Sequence, residues 1–233
     1  MATITETETT PATALEGDQC VVMQGVGWSG YKTLLRVRGE RPRPKMIYLD
    51  GDVLLTSPSY PHESLKKRLG HFVMEVAISL KIRFIASGST TFRRQKENGG
   101  VEPDESFYLA NADRVRGKKR LSVGVDPPPE LVIEVVQSYD ADDAVEVYRR
   151  FRVPEVWVCD GNVLHILAFQ TDETYTQVNA SVAFPFLSAA EICEWVVRPQ
   201  TETDAEWGLD LRAWVLDVPL PRYQGRANDA GGA

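Results

Sequence analysis

The sequence has little cysteine, no surplus of positive charge and no long apolar run. Its three cysteines, Cys20, Cys159 and Cys193, are odd in number and widely spaced, which suggests neither a disulfide framework nor a zinc knuckle. A net charge of −7 argues against a protein that coats nucleic acid nonspecifically, because the phosphate backbone rewards a positive surface. No stretch approaches the roughly eighteen consecutive apolar residues of a membrane helix. The opening MATITETETTPATALEGD has no positive charge and no apolar signal core, so a cytoplasmic protein is expected. Gly-rich phosphate loops and a GxSxG elbow are also missing, which removes the best-marked nucleotide and serine-hydrolase readings.

What is present is the composition of a folded domain, 43% hydrophobic over 233 residues. Residues 1–17 and 221–233 carry no sustained apolar period and read as a flexible arm and a flexible tail. Between them, 18–200 reads as one domain and 201–220 as a helical extension packed on it. Asp50-Gly51 joins two β-rich runs in KMIYLDGDVLLTSPS, a favoured hairpin turn. Leu65, Leu69, Phe72, Val73, Val76 and Leu80 then recur at the spacing of one helix face. Short β-like runs follow at IRFIAS, STTFRR and VEPDESFYL, and after three prolines LVIEVV reads as a buried strand. DADDAVEVYRRFRVP is an amphipathic helix, EVWVCDGNVLHILAF a second hairpin, and SAAEICEWVV and DAEWGLDLRAWVL two further helices. Strands on both sides of two helices indicate an α/β or α+β domain with a mixed central sheet.

Within that frame the acids stand out. In LVIEVV, Glu134 shares a face with Val132 and Val136, opposite Leu131, Ile133 and Val135. An ionised carboxylate there costs several kcal/mol unless a cation or strong hydrogen bonds compensate. Asp104 begins another candidate strand thirty residues earlier. Together the two could hold a hard divalent cation, and such a site can activate water and offset charge on a scissile phosphate. The plainer reading is that Asp104 caps a turn and Glu134 pairs with an arginine.

The blocks YLDGDVLLTSPSYPHE, GSTTFRR, VEPDESFYL, PPPELVIEV and YRRFRVPEVWVCDG, in this order from about Trp28 to Phe186, resemble the Uma2 family. That family, also called DUF820, is placed in the PD-(D/E)XK restriction-endonuclease-like superfamily. The resemblance implies a restriction-endonuclease-like mixed central β-sheet flanked by helices, with an N-terminal β-hairpin and a C-terminal helical extension. It implies an endonuclease using Mg2+ or Mn2+ on DNA, with Asp104 and Glu134 as catalytic and metal-holding acids. It makes Glu63, next to His62, a further catalytic acid, and places Tyr148 on a helix near the site. On a helical wheel His62 falls near the apolar stripe and Glu63 at its edge; taken alone, each suits a helix N-terminus. A homodimer is compatible with this architecture.

The match has a gap. The superfamily's lysine, two residues after the second acid, is here Val136, and the alternative position on the following helix is Ala144. Gln137 points to the wrong strand face, and Lys66, Lys67 or Lys96 could reach inward only if the fold places them there. Three readings follow: a weakened nuclease, an inactive module that binds nucleic acid or protein, and an enzyme acting on another phosphoester. The basic clusters RVRGERPRPK, LKKR, FRRQK, RVRGKKR and YRRFR favour the nuclease if they converge around Asp104 and Glu134. His71, His165 and the five tryptophans read as packing residues.

Overall fold

The structure, a computed structural model, describes residues 17–136, 141–199 and 201–231. Residues 1–16 of the expected arm, Gln137 and residues 232–233 lie outside the described residues.

The chain builds two sheets. The first is antiparallel throughout, in the order β1 (Gln19–Met23), β3 (Asp52–Ser57), β2 (Lys45–Leu49), β6 (Gly99–Val101) and β5 (Phe92–Arg94). The second is mixed: β11 (Tyr175–Val178), β10 (Leu164–Phe169), β9 (Glu155–Cys159), β8 (Leu131–Val135), β7 (Glu105–Tyr108) and β4 (Ile85–Ala86), with β8 and β9 parallel. The helices are α1 (Gly27–Arg38), α2 (Tyr60–Ser79), the short α3 (Ala112–Val115), α4 (Asp142–Phe151), α5 (Ala189–Val196), α6 (Asp204–Asp217) and α7 (Pro219–Gly231). The expected mixed sheet flanked by helices is present, and the N-terminal hairpin belongs to a second sheet beside it. The chain crosses from one sheet to the other through Glu102-Pro103-Asp104, between β6 and β7.

Local chemistry sets these elements. Asp50 and Gly51 both take positive φ, 49° and 110°, the backbone a two-residue hairpin turn demands. Helix α2 starts where the Ser59 side chain accepts the His62 N–H, with Pro61 in its first turn. Its stripe of Leu65, Leu69, Phe72, Val73 and Val76 packs with Leu131, Ile133 and Val135 of β8. The opposite face of β8, carrying Val132, packs with Ala144, Val147 and Tyr148 of α4 and Ile47 of β2. A third cluster joins Tyr31 and Leu35 of α1 to Met46 and Tyr48 on the other face of β2. Residues 45 and 47 of β2 therefore look toward α4 and β8, and residues 46 and 48 toward α1.

At the C-terminus, α6 buries Trp207, Leu211 and Val215 in the cluster with α2. The segment read as a flexible tail from 221 is helical through residue 231. Tyr223 there packs edge-on to Phe186 at 5.5 Å, and Arg222 pairs with Glu191 at 2.7 Å. These two long-range contacts hold a helix whose local sequence, with two Pro and two Gly, has weak propensity.

Gly100 illustrates how closely α1 sits on the first sheet. Tyr31 stacks on Tyr48 with ring centroids 4.9 Å apart, and a Cβ at Gly100 would lie 2.5 Å from the Tyr31 hydroxyl and 2.8 Å from its ring. Gly100→Ala should lower stability by about 1–3 kcal/mol, read as a reduced urea midpoint at unchanged m. An unshifted midpoint would contradict this packing.

Candidate functional site

Asp104 and Glu134 meet between the two sheets. Asp104 stands at the crossover, where its backbone N–H donates to the Ile133 carbonyl at 3.1 Å and its Oδ2 accepts the Val135 N–H at 2.8 Å. Both bonds tie it to the strand that carries Glu134. The two carboxylates are almost fully buried, 0% and 2% exposed. Glu134 Oε1 accepts a hydrogen bond from the Tyr148 hydroxyl on α4, so Tyr148 lies at the site, one helical turn beyond Ala144.

The cation that compensates this buried charge is Lys45, at the first position of β2. Its Nζ lies 2.5 Å from Asp104 Oδ1 and 3.9 Å from Glu134 Oε2. The strand phase explains the aim: Lys45 shares the face of Ile47, which packs on Val132 and Tyr148. The adjacent Met46 N–H donates to Glu102 Oε2 at 3.0 Å, and Glu102 also accepts both guanidinium bonds of Arg38, at 2.5 and 2.6 Å, and one from Thr91. Glu102 has no task in the sequence reading; here it anchors the start of β2 beside Lys45.

The remaining oxygen contact comes from His62. Its Nε2 lies 3.1 Å from Asp104 Oδ2, an ion-pair distance whose N–H direction falls short of good hydrogen-bond geometry. Its Nδ1 is 2.7 Å from Asp18 Oδ2. Glu63 instead pairs with Arg43 at 3.2 Å and Lys66 at 3.7 Å. The expected role of Glu63 as a further acid is thus not met by a contact to Asp104; the preceding residue, a step of about 100° round the helix, takes that place. Glu105 turns to the other face, against Gly70 of α2.

The proposed substitutes for the lysine also lie elsewhere. Lys66 faces Glu63, while Lys67 and Lys96 are exposed. The apparent lack of a cation, inferred from Val136 and Ala144, is corrected by Lys45, whose side chain reaches Asp104 across 59 residues of sequence.

Electrostatics split the two acids. Burial pushes the Asp104 carboxyl up, but the Lys45 ammonium and His62 outweigh it and hold this group well below the usual carboxylate range. Burial also pushes Glu134 up, and the negative Asp104 adds to this, so that against the pull of Lys45 and Tyr148 it reaches about 7. Burial works against charge on Lys45 and on His62 as well, yet their carboxylate neighbours raise both.

Asp104 and Glu134 are the side chains here with the hard oxygen donors a magnesium or manganese ion takes. Both also lie beside the Lys45 ammonium, and two carboxylates suit a small cation next to it, with the rest of its shell from water or phosphate. Among the described residues no group of three or more His, Cys, Asp or Glu side chains could enclose a metal by itself.

Lys45 also lines an open cleft of about 940 Å³. Arg41, Arg93, Lys119 and Arg120 line the same cleft, are exposed, and have no acidic partner among the described residues. Three of the five basic clusters thus converge on it. Of the other two, Lys67 and Arg68 line a groove between α2 and α6, while Arg149, Arg150 and Arg152 are engaged by Glu146, Asp50 and Glu173.

Comparison with known proteins agrees with the family resemblance. The model of the Uma2 family, described as "Putative restriction endonuclease", matches residues 28–199. Among solved structures, the chain is similar to "a putative nuclease belonging to DUF820 from Anabaena variabilis ATCC 29413", at 14% identity and a TM-score of 0.48, over 66% of this chain and 94% of that one. No match is found among the curated proteins. No helix among the described residues is long and apolar enough to cross a membrane.

The raised Glu134 group has a thermodynamic signature. Between its ordinary value of 4.5 and about 7, the native state keeps a proton that the unfolded chain has released. The stability it contributes is fully present below 4.5 and is lost as pH rises through about 7. Glu134→Gln, neutral throughout, should remove a loss of a few kcal/mol across this window, measured by urea unfolding at a series of pH values. An unchanged pH slope would contradict the assignment.

Proposed function

Because the chain belongs to the Uma2 family, we propose that it is a metal-dependent endonuclease acting on DNA, with Asp104 and Glu134 holding Mg2+ or Mn2+. The observation that carries this reading is Lys45 set between the two carboxylates, at the edge of a basic cleft. When bound, the metal supplies Lewis-acid stabilisation of the phosphate and a more acidic water.

The chain's own groups do the rest. Asp104 is kept ionised by Lys45 on Oδ1, and with Oδ2 engaged by the Val135 N–H, Oδ1 is the oxygen a metal beside Lys45 would share. Tyr148 fixes the Glu134 rotamer through Oε1 and leaves Oε2 toward Lys45. The Lys45 ammonium is the group placed to offset charge developing on the phosphate, the task of the superfamily lysine. Arg41, Arg93, Lys119 and Arg120 hold the backbone of the nucleic acid, positioning it without reading sequence. The alternative of an inactive binding module takes its support from Val136 and Ala144, and a lysine arriving from β2 weakens that ground.

Purified protein should cut DNA with added Mg2+ or Mn2+ and not in EDTA, and Asp104→Asn should reduce the rate by about a thousandfold or more. No cleavage of DNA with either metal, beside retained binding in EDTA, would favour the inactive module. Binding itself should be steeply salt-dependent: one phosphate for each of the four exposed cations lining the cleft gives a slope of log affinity on log salt of about −3 to −4 for duplex DNA. Each of Arg93→Ala and Arg120→Ala should reduce that slope by about 1, whereas slopes unaltered in both variants would move the binding surface elsewhere.

A further inference from the structure

Behind Asp104 lies a further buried carboxylate that the nuclease reading does not use. Asp18, just before β1, has a fully buried side chain. Its Oδ2 meets His62 Nδ1 at 2.7 Å, and its Oδ1 accepts the Ser59 N–H at 2.8 Å, at the N-cap of α2. His62 is itself 1% exposed and places Nε2 3.1 Å from Asp104 Oδ2. Asp18, His62, Asp104, Lys45 and Glu134 therefore form one buried line of alternating acid and base between the sheets.

A carboxylate can only accept. At 2.7 Å the contact with Asp18 keeps a proton on His62 Nδ1 and fixes the plane of its ring. That plane sets where Nε2 stands, and Nε2, with the Val135 N–H, occupies Oδ2 of Asp104. Oδ1 is then the oxygen turned to Lys45, which lines the cleft. Asp18 lies 44 residues from His62, so nothing local in sequence brings them together; the contact exists because β1 pairs along β3 and returns the chain to the start of α2.

We propose that Asp18 is a positioning residue of the metal site: acting through His62, it fixes which oxygen of Asp104 is offered to the cation. The proposal rests on the reading of Asp104 as a metal ligand. A carboxylate–histidine pair behind a ligand fixes the ligand's orientation, and loss of such a partner costs about ten- to a hundredfold in metal affinity or activity.

The test is Mn2+ affinity by calorimetry on the full chain, with nuclease kinetics alongside. Asp18→Asn keeps the shape and an acceptor oxygen but removes the charge. It should weaken Mn2+ binding by about tenfold or more and lower kcat, while KM for DNA stays within about twofold. In a His62→Gln background Asp18→Asn should then add nothing, because the two act through one path. A folded Asp18→Asn that binds Mn2+ as the wild type does, or an effect that persists in full beside His62→Gln, overturns the proposal. Should Asp18→Asn fail to fold, wild-type protein labelled with 15N-histidine decides. The proposal requires an imidazole Nδ1 proton protected from exchange and absent from His62→Gln, and no such proton would overturn it. Wild-type protein that binds no Mn2+ at all would instead remove the metal reading on which the proposal rests.

Discussion

Placing a carboxylate between two sheets is unfavourable by several kcal/mol unless a cation meets it there, and the contact of Lys45 with Asp104 is the answer this chain gives. Both partners are buried, 8% and 0% exposed at their side chains, so neither can fall back on water. The contact sets two demands on the fold. Asp104 must sit at the crossing between sheets, where Pro103 interrupts the chain, and β2 must begin at Lys45 with the correct phase. Glu102 serves the second demand by binding the Met46 N–H, and Arg38 and Thr91 in turn hold Glu102. Removal of either member of the central pair would leave an uncompensated charge inside, the case in which a buried ion pair matters most for stability.

The same pair gives the site its asymmetry. One acid is held ionised by two basic neighbours, while the other, buried against α4 and beside the first, holds its proton up to about 7. Two carboxylates with separated proton affinities are a recurring device of catalytic sites. Their cation lines a cleft whose exposed arginines and lysine are local exceptions in a chain of net charge −7. The global acidity and the local basicity are compatible, because exposed charges beyond a Debye length are largely screened from one another.

The framework is legible in the sequence wherever periodicity is strong: the Asp50-Gly51 hairpin, the stripe of α2, the buried β8 and the helix carrying Tyr148. The elements that escape are those whose pattern is set by distant packing. Strand β1 is largely exposed and has no alternation to read, and α7 is held by Tyr223 and Arg222. Asp104 and Glu134 are marked by buried acid in β-rich runs, whereas Lys45 is invisible to any search confined to the neighbourhood of Glu134. A signal did exist: KMIYL opens with a lysine in phase with Ile47, and a strand buried on both faces has to pair such a residue. His62 carried a similar signal, falling nearer the apolar stripe of α2 than Glu63 did.

The central claim is that Lys45, arriving from β2, does the work of the lysine missing at residue 136. Single-turnover cleavage of duplex DNA by Lys45→Met at saturating Mg2+ tests it most directly. The account predicts a loss of about a hundredfold to a thousandfold with DNA binding nearly unchanged, and partial recovery when Val136→Lys is added. Cleavage by a folded Lys45→Met at the wild-type rate would contradict it.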